Sequence, residues 1–98
     1  MTAYVIADIT VTNPDGYAAY RPMAAASVAQ HGGKFIARGG EVEPLDGGWT
    51  PSRVVIIEFP SMAVARTWYA SAEYQAALKV RLANSTGRTI LTEGAPPA

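Results

Sequence analysis

One histidine, a few charged residues set into apolar runs and a group of aromatic rings are the side chains here that could do chemistry. His31 is the only group that ordinarily titrates near neutrality. It closes a helical stripe just before Gly32-Gly33, so it could act as general acid or base at the mouth of a cleft between helix and sheet. The alternative is a terminal helix residue that satisfies loose carbonyls. Asp8 and Glu58, with Arg38 and Arg53, are further candidates: a carboxylate inside an apolar strand is costly unless paired, and the fork of Arg38 suits such pairing. These residues could form a polar island for an anionic or carbonyl-bearing ligand, with Asp8 or Glu58 as base. They could equally be a structural ion-pair cluster that fixes register between subunits. Tyr17, Tyr20, Trp49, Trp68, Tyr69 and Tyr74, backed by the small Ala7 and Ala37, could wall a pocket for a planar organic molecule. The alternative is that these rings fill the core.

Other chemistries are excluded or unsupported. The pairs Gly32-Gly33, Gly39-Gly40 and Gly47-Gly48 match neither phosphate-loop nor dinucleotide spacing, and read as a helix cap, a strand break or bulge, and a turn. There is no Gly-x-Ser-x-Gly nucleophile motif. With no cysteine and one histidine, thiolate catalysis and disulfides are excluded, and neither a dedicated metal nor any cofactor is expected. Eight basic against eight acidic residues provide no basic stripe, so no nucleic-acid or membrane partner is expected. The opening Met1-Thr2-Ala3-Tyr4 lacks a basic leader, and a cytoplasmic location is expected.

The elements that must position these groups follow from periodicity. Ala3 to Val11 alternates: Ala3, Val5, Ala7, Ile9 and Val11 form one apolar face, and Tyr4, Ile6, Asp8 and Thr10 the other. Asn13-Pro14-Asp15 starts a helix that runs to Gln30 or His31, with Tyr17, Tyr20, Ala24, Val28 and His31 on its buried stripe. Pro22 deprives the Ala18 carbonyl of its partner and should bend the helix there. Lys34 to Arg38 reads as a short strand with Phe35 and Ala37 on one face and Ile36 and Arg38 on the other. Glu41 to Leu45 can continue it, and Asp46-Gly47-Gly48 makes a hairpin turn. The run Val54-Val55-Ile56-Ile57-Glu58-Phe59 is a strand apolar on both faces. Ser61 and Ser71 cap two further helices, the second with Tyr74, Ala77, Leu78, Arg81 and Leu82 as its stripe. Gly87 should end the helical region, and Arg88 to Glu93 form a last strand before a frayed tail.

Residues 1–98 thus read as a single α+β domain, a ferredoxin-like βαββαβ sandwich with an antiparallel sheet and its helices on one face. A sheet greasy on both sides needs a second cover, and another subunit's sheet supplies it, hence an expected homodimer. At His31-Gly32-Gly33, Arg38-Gly39-Gly40, Trp49, Arg53 and Glu58-Phe59-Pro60-Ser61, with Tyr4-Val5-Ile6-Ala7-Asp8, the chain resembles domain-of-unknown-function family thirteen-thirty. That family lies within the dimeric α/β-barrel superfamily, and the likeness runs from Tyr4 to Gly94. The resemblance implies two subunits packed sheet to sheet as a dimeric α/β barrel. Superfamily relatives include cofactor-free monooxygenases, lactone isomerases, and dehalogenating and haem-handling proteins, which offers a range of chemistries and no transferable site. Two functions are expected. One is a cofactor-independent enzyme (proton transfer, isomerisation or oxygenation) on a small hydrophobic or aromatic metabolite, with His31, Asp8 and Glu58 as catalytic candidates. Arg38, Tyr17, Tyr20, Trp49, Trp68 and Tyr69 would then be its substrate-binding candidates. The other is a non-catalytic small-molecule-binding or structural homodimer.

Overall fold

Alternation decides the first element: in the strand Ala3–Val11 (β1), Ala3, Val5, Ala7 and Ile9 are buried, while Tyr4, Ile6 and Asp8 between them are half-buried. The computed structural model describes residues 1–97. After β1 come Pro14–Tyr17 (α1), Tyr20–Gln30 (α2), Lys34–Arg38 (β2), Val54–Phe59 (β3), Met62–Ala70 (α3), Ala72–Asn84 (α4) and Ser85–Glu93 (β4). The strands lie in the order β2-β3-β1-β4 with every neighbouring pair antiparallel, which is the ferredoxin-like sheet. One face packs on the helices through Val5, Ile57, Phe59, Ala24, Val28, Trp68, Tyr74 and Ala77. On the other face Ile6 sits between Ile56 and Ile90 in register, and Ile90 is 59% exposed. Among the described residues no helix packs on that row. The Cα trace is only 17 Å in its shortest dimension, the depth of one helical layer on one sheet.

Local chemistry accounts for the boundaries. Ser61 and Ser71 accept the N–H groups of Val64 and Tyr74 at 3.1 and 3.2 Å, capping α3 and α4. Gly32 at φ +70° ends α2, with the N–H groups of Gly32 and Gly33 donating back to Ala29 and Val28. The first helix does not bend at Pro22 but breaks at Ala18-Ala19, one turn earlier, where the unpaired carbonyl lies. Asn13 stands at the N-cap position without capping, because its side chain donates instead to Asn84 Oδ1 at 3.0 Å.

Four other expectations are corrected. Glu41 to Leu45 is not a strand: Gly39 to Thr50 is an exposed connection, so Gly47-Gly48 turns inside a loop rather than a hairpin. The sheet continues one turn earlier than expected, from Ser85, and Gly87 is inside β4, where a Cβ would strike the Asp8 backbone carbonyl of β1. Leu82 is 65% exposed and off the buried stripe of α4. Finally, β2 carries a bulge between Phe35 and Ala37, so that Phe35 pairs with Ile57 and Arg38 with Val55. Phe35 and Arg38 therefore share the helix-facing side, and Arg38 is not on the face of Asp8 and Glu58.

Candidate active site

The sheet divides the candidate residues between its faces. Between the helices and the sheet lies a narrow cleft of about 60 Å³ that opens to solvent at its mouth, floored by Val5, Ala7, Ala24, Val55, Ile57 and Trp68. Tyr17, Tyr20 and Tyr74 line it together with Arg21, Arg38, Arg53 and Arg81. Periodicity brings Tyr17, Tyr20, Ala24 and Trp68 inward, and the bulge brings Arg38. Arg53 enters because it precedes β3 at the position opposite Ile9, whose N–H donates to the Arg53 carbonyl at 3.0 Å.

The hydroxyls form a chain. Arg81, 8% exposed, donates from Nη1 to the Tyr74 hydroxyl at 3.1 Å, and that hydroxyl lies 2.9 Å from the Tyr20 hydroxyl. When Tyr74 donates to Tyr20, the proton of Tyr20 is free for an oxygen in the cleft. Burial first, then the neighbouring Tyr20, raises the Tyr74 pKa far above the ordinary phenol range, although Arg81 opposes the shift. Burial, again with Tyr20 behind it, also raises that of Tyr17, against the opposing charges of Arg53, Arg81 and Arg21. Both phenols are therefore neutral donors at physiological pH. The Arg38 guanidinium stacks over the Phe35 ring at 4.1 Å, and that of Arg21 stands 5.7 Å from the centre of the Tyr17 ring. Arg53 Nε is buried without a hydrogen-bond partner, a defect that costs ~1–3 kcal/mol for a neutral group and more for a charged one.

The remaining candidates lie elsewhere. Asp8 is on the opposite face, where its carboxylate accepts from the backbone N–H groups of Ser52 and Arg53 at 2.9 and 3.4 Å and from Trp49 Nε1 at 3.3 Å. Desolvation works against its ionised form, but those bonds and the nearby Arg88 prevail and hold its pKa below the ordinary value. Asp8 thus clasps the end of the long loop, and Trp49 belongs to the clasp rather than to the cleft. The expected pairing of Asp8 or Glu58 with Arg38 is absent, because the bulge turns Arg38 to the other side. Glu58 lies opposite Tyr4 and Lys34 on the helix-free face. His31 Nδ1 donates to the Ser27 carbonyl at 2.8 Å, and the ring is not among the cleft's lining residues. Trp68 is a buried floor residue, its Nε1 donating to Ser27 Oγ at 3.1 Å, and Tyr69 is 43% exposed outside the cleft. Arg53, Tyr74 and Arg81 line the cleft, whereas Asp8, Glu58 and His31 do not. Arg81 had a signal in the sequence, a charge in the buried stripe of Tyr74, Ala77 and Leu78. Among the described residues no group of three or more His, Asp or Glu could hold a metal ion, and no helix is long and apolar enough to cross a membrane.

A ferredoxin-like α+β domain with a cleft between its helices and its sheet is therefore the class of protein at hand. The family model described as Domain of unknown function (DUF1330) matches residues 2–95, and the chain belongs to that family. No curated protein matches it. Among solved structures it is similar to the RPA0582 protein of unknown function from Rhodopseudomonas palustris, at 21% identity and a TM-score of 0.77, covering 98% of this chain and 84% of that one. It is also similar to SnoaB, a cofactor-independent oxygenase from Streptomyces nogalater, at 18% identity and a TM-score of 0.63, covering 98% and 94%. An antibiotic biosynthesis monooxygenase matches at 18% identity and a TM-score of 0.55, covering 98% and 100%. At these identities the likeness establishes a shared fold.

Proposed function

We propose that the chain acts as a cytoplasmic homodimer whose helix–sheet cleft binds a small, flat, largely apolar or aromatic metabolite. The observation that carries this reading is the composition of the cleft: an aliphatic and aromatic floor under a few convergent donors, the pattern of a ligand site rather than of a filled core. The dimer is supported by the uncovered row of Ile56, Ile6 and Ile90, which a second sheet would bury, and the cysteine-free composition fits a reducing compartment. A second reading, cofactor-independent catalysis, is favoured by the Arg81–Tyr74–Tyr20 chain. A donor backed by a buried cation stabilises negative charge growing on a substrate oxygen, as proton transfer, isomerisation or oxygenation would require. The likeness in fold to SnoaB, a cofactor-independent oxygenase, agrees with that reading. On this account Tyr20 touches the reacting oxygen, Tyr74 and Arg81 act through it, and Asp8 positions the loop.

Calorimetric titration with 2-naphthol tests the cleft. Wild-type protein should bind it, and Ala24→Phe, which fills the floor, should lose binding while its circular dichroism spectrum is unchanged. Equal binding by both proteins would refute the location, and failure of the wild type to bind 2-naphthol, 2-naphthoate and 2-naphthamide alike would refute the cleft reading. Sedimentation tests the dimer: Ile6→Asp should convert it to monomer, and a wild-type monomer at micromolar concentration would refute it.

A further inference from the structure

We infer that the ligand of this cleft is an anion, a carboxylate carried on a flat apolar body, and that Arg38 and Arg53 grip the carboxylate. This deepens the cleft reading above and rests on it. Four of the chain's eight basic residues, Arg21, Arg38, Arg53 and Arg81, line one cleft, and no aspartate or glutamate lines it with them. Guanidinium groups gathered at a partly desolvated site without a counter-charge leave an unbalanced positive field, which an anion entering the cleft would neutralise.

Their individual states sharpen the assignment. Arg81 is committed to Tyr74. The Arg38 guanidinium carbon stands over the Phe35 ring, 4.1 Å from its centre, a contact with the ring face that uses up no N–H donor, and a guanidinium fork matches the two oxygens of a carboxylate. Arg53 has a buried Nε donor with no acceptor among the described residues. Two devices place these groups there. The bulge in β2 turns Arg38 toward the helices, and the clasp by Asp8 fixes the backbone of Ser52 and Arg53 from the opposite face. Gly39 completes the seat, because a Cβ there would collide with the Arg53 guanidinium. The apolar floor of Val5, Ala7, Val55 and Ile57 accepts the body of the ligand, and Tyr20 can donate to a further oxygen on it.

The test compares two shapes that differ in charge. By calorimetry at low ionic strength, 2-naphthoate should bind wild-type protein at least about tenfold more tightly than 2-naphthamide. Arg53→Met and Arg38→Met should each remove most of that advantage, weakening 2-naphthoate far more than 2-naphthamide. The acid–amide comparison on the wild type decides the matter even where a variant folds poorly. Equal affinities for acid and amide overturn the anion proposal and leave the cleft reading standing. Failure of 2-naphthoate, 2-naphthamide and 2-naphthol alike overturns both.

Discussion

Three glycines in one loop allow the seat of Arg53 to be tested apart from the loop's own stability. Gly39 and Gly47 have φ of +71° and +80°, whereas Gly40 is not in the left-handed region. A Cβ on Gly40 or Gly47 would meet nothing within 4 Å, and one on Gly39 would meet the Arg53 guanidinium. Alanine at Gly40 therefore adds neither strain nor crowding and should be neutral, or stabilising by ~0.4–1 kcal/mol through the unfolded chain. Alanine at Gly47 adds left-handed strain of ~1–2 kcal/mol against the same gain. Alanine at Gly39 adds that strain and also displaces a guanidinium, which is the far end of a flexible side chain and yields without much further loss of stability. Gly39→Ala and Gly47→Ala should thus fall together, ~1–2 kcal/mol below Gly40→Ala, each kcal/mol lowering the melting temperature by ~4–8 °C. Only Gly39→Ala should weaken binding of 2-naphthoate. The assay is denaturant unfolding at one protein concentration, paired with calorimetry. Equal midpoints for Gly39→Ala and Gly40→Ala would refute the turn. An equal loss of 2-naphthoate binding in Gly47→Ala would refute Gly39 as the seat of Arg53.

The other predictions concern the hydroxyl chain, the clasp and the bulge. Tyr74→Phe leaves the buried Arg81 donor without its acceptor and should cost ~1–3 kcal/mol in denaturant unfolding, whereas a change below experimental error would mean that Arg81 finds another partner. Asp8 has a folded-state pKa below its ordinary 3.8, so it stabilises the fold above that value and the contribution is lost as pH falls below it. In Asp8→Asn the loss of stability on acidification should accordingly be shallower, and identical acid limbs would dismiss the clasp. The raised phenols work in the opposite direction, with full stability below pH 10 and decline above it, so absorbance titration should find Tyr17 and Tyr74 ionising only above the ordinary phenol range. Deleting Ile36, which is 46% exposed on an edge strand, should keep Ala37 opposite Ile56 and Arg38 opposite Val55, and so preserve both the fold and the preference for 2-naphthoate. Loss of that preference would place Arg38 elsewhere.

Much of the fold is legible because burial on a sheet has a period of two. Ala3, Val5, Ala7 and Ile9 announce β1, the Ser61 and Ser71 caps announce α3 and α4, and Gly32-Gly33 announces the end of α2. The candidate site is less legible, for a reason located at Ile36. Lys34-Phe35-Ile36-Ala37-Arg38 contains no glycine or proline to mark an irregularity, so alternation assigns Arg38 to the face of Asp8 and Glu58. One unpaired residue reverses everything after it, and with it the partner chosen for each charge. The loop misleads too: Val42 between Glu41 and Glu43 resembles an alternating strand, but the segment lies exposed and unpaired, and Pro44 has no N–H to give to a ladder. Asp8 is legible as a buried-strand carboxylate in need of partners. What the sequence cannot convey is that the partners are backbone N–H groups more than forty residues away.

The two faces also explain how a chain with no net charge can hold a strongly polarised site. Asp8 and Glu58 stand on the helix-free face of the sheet, while Arg38 and Arg53 reach the other side. β-structure can separate charge in this way because adjacent residues point apart: the Ser52-Arg53 backbone bonds to Asp8 on one side while the Arg53 side chain is delivered to the other. A carboxylate on the cleft side would have satisfied Arg53 Nε and quenched the field. Its placement behind the sheet fixes the arginine without neutralising it, so that the donor is held in position and its electrostatic demand is left to whatever enters the cleft.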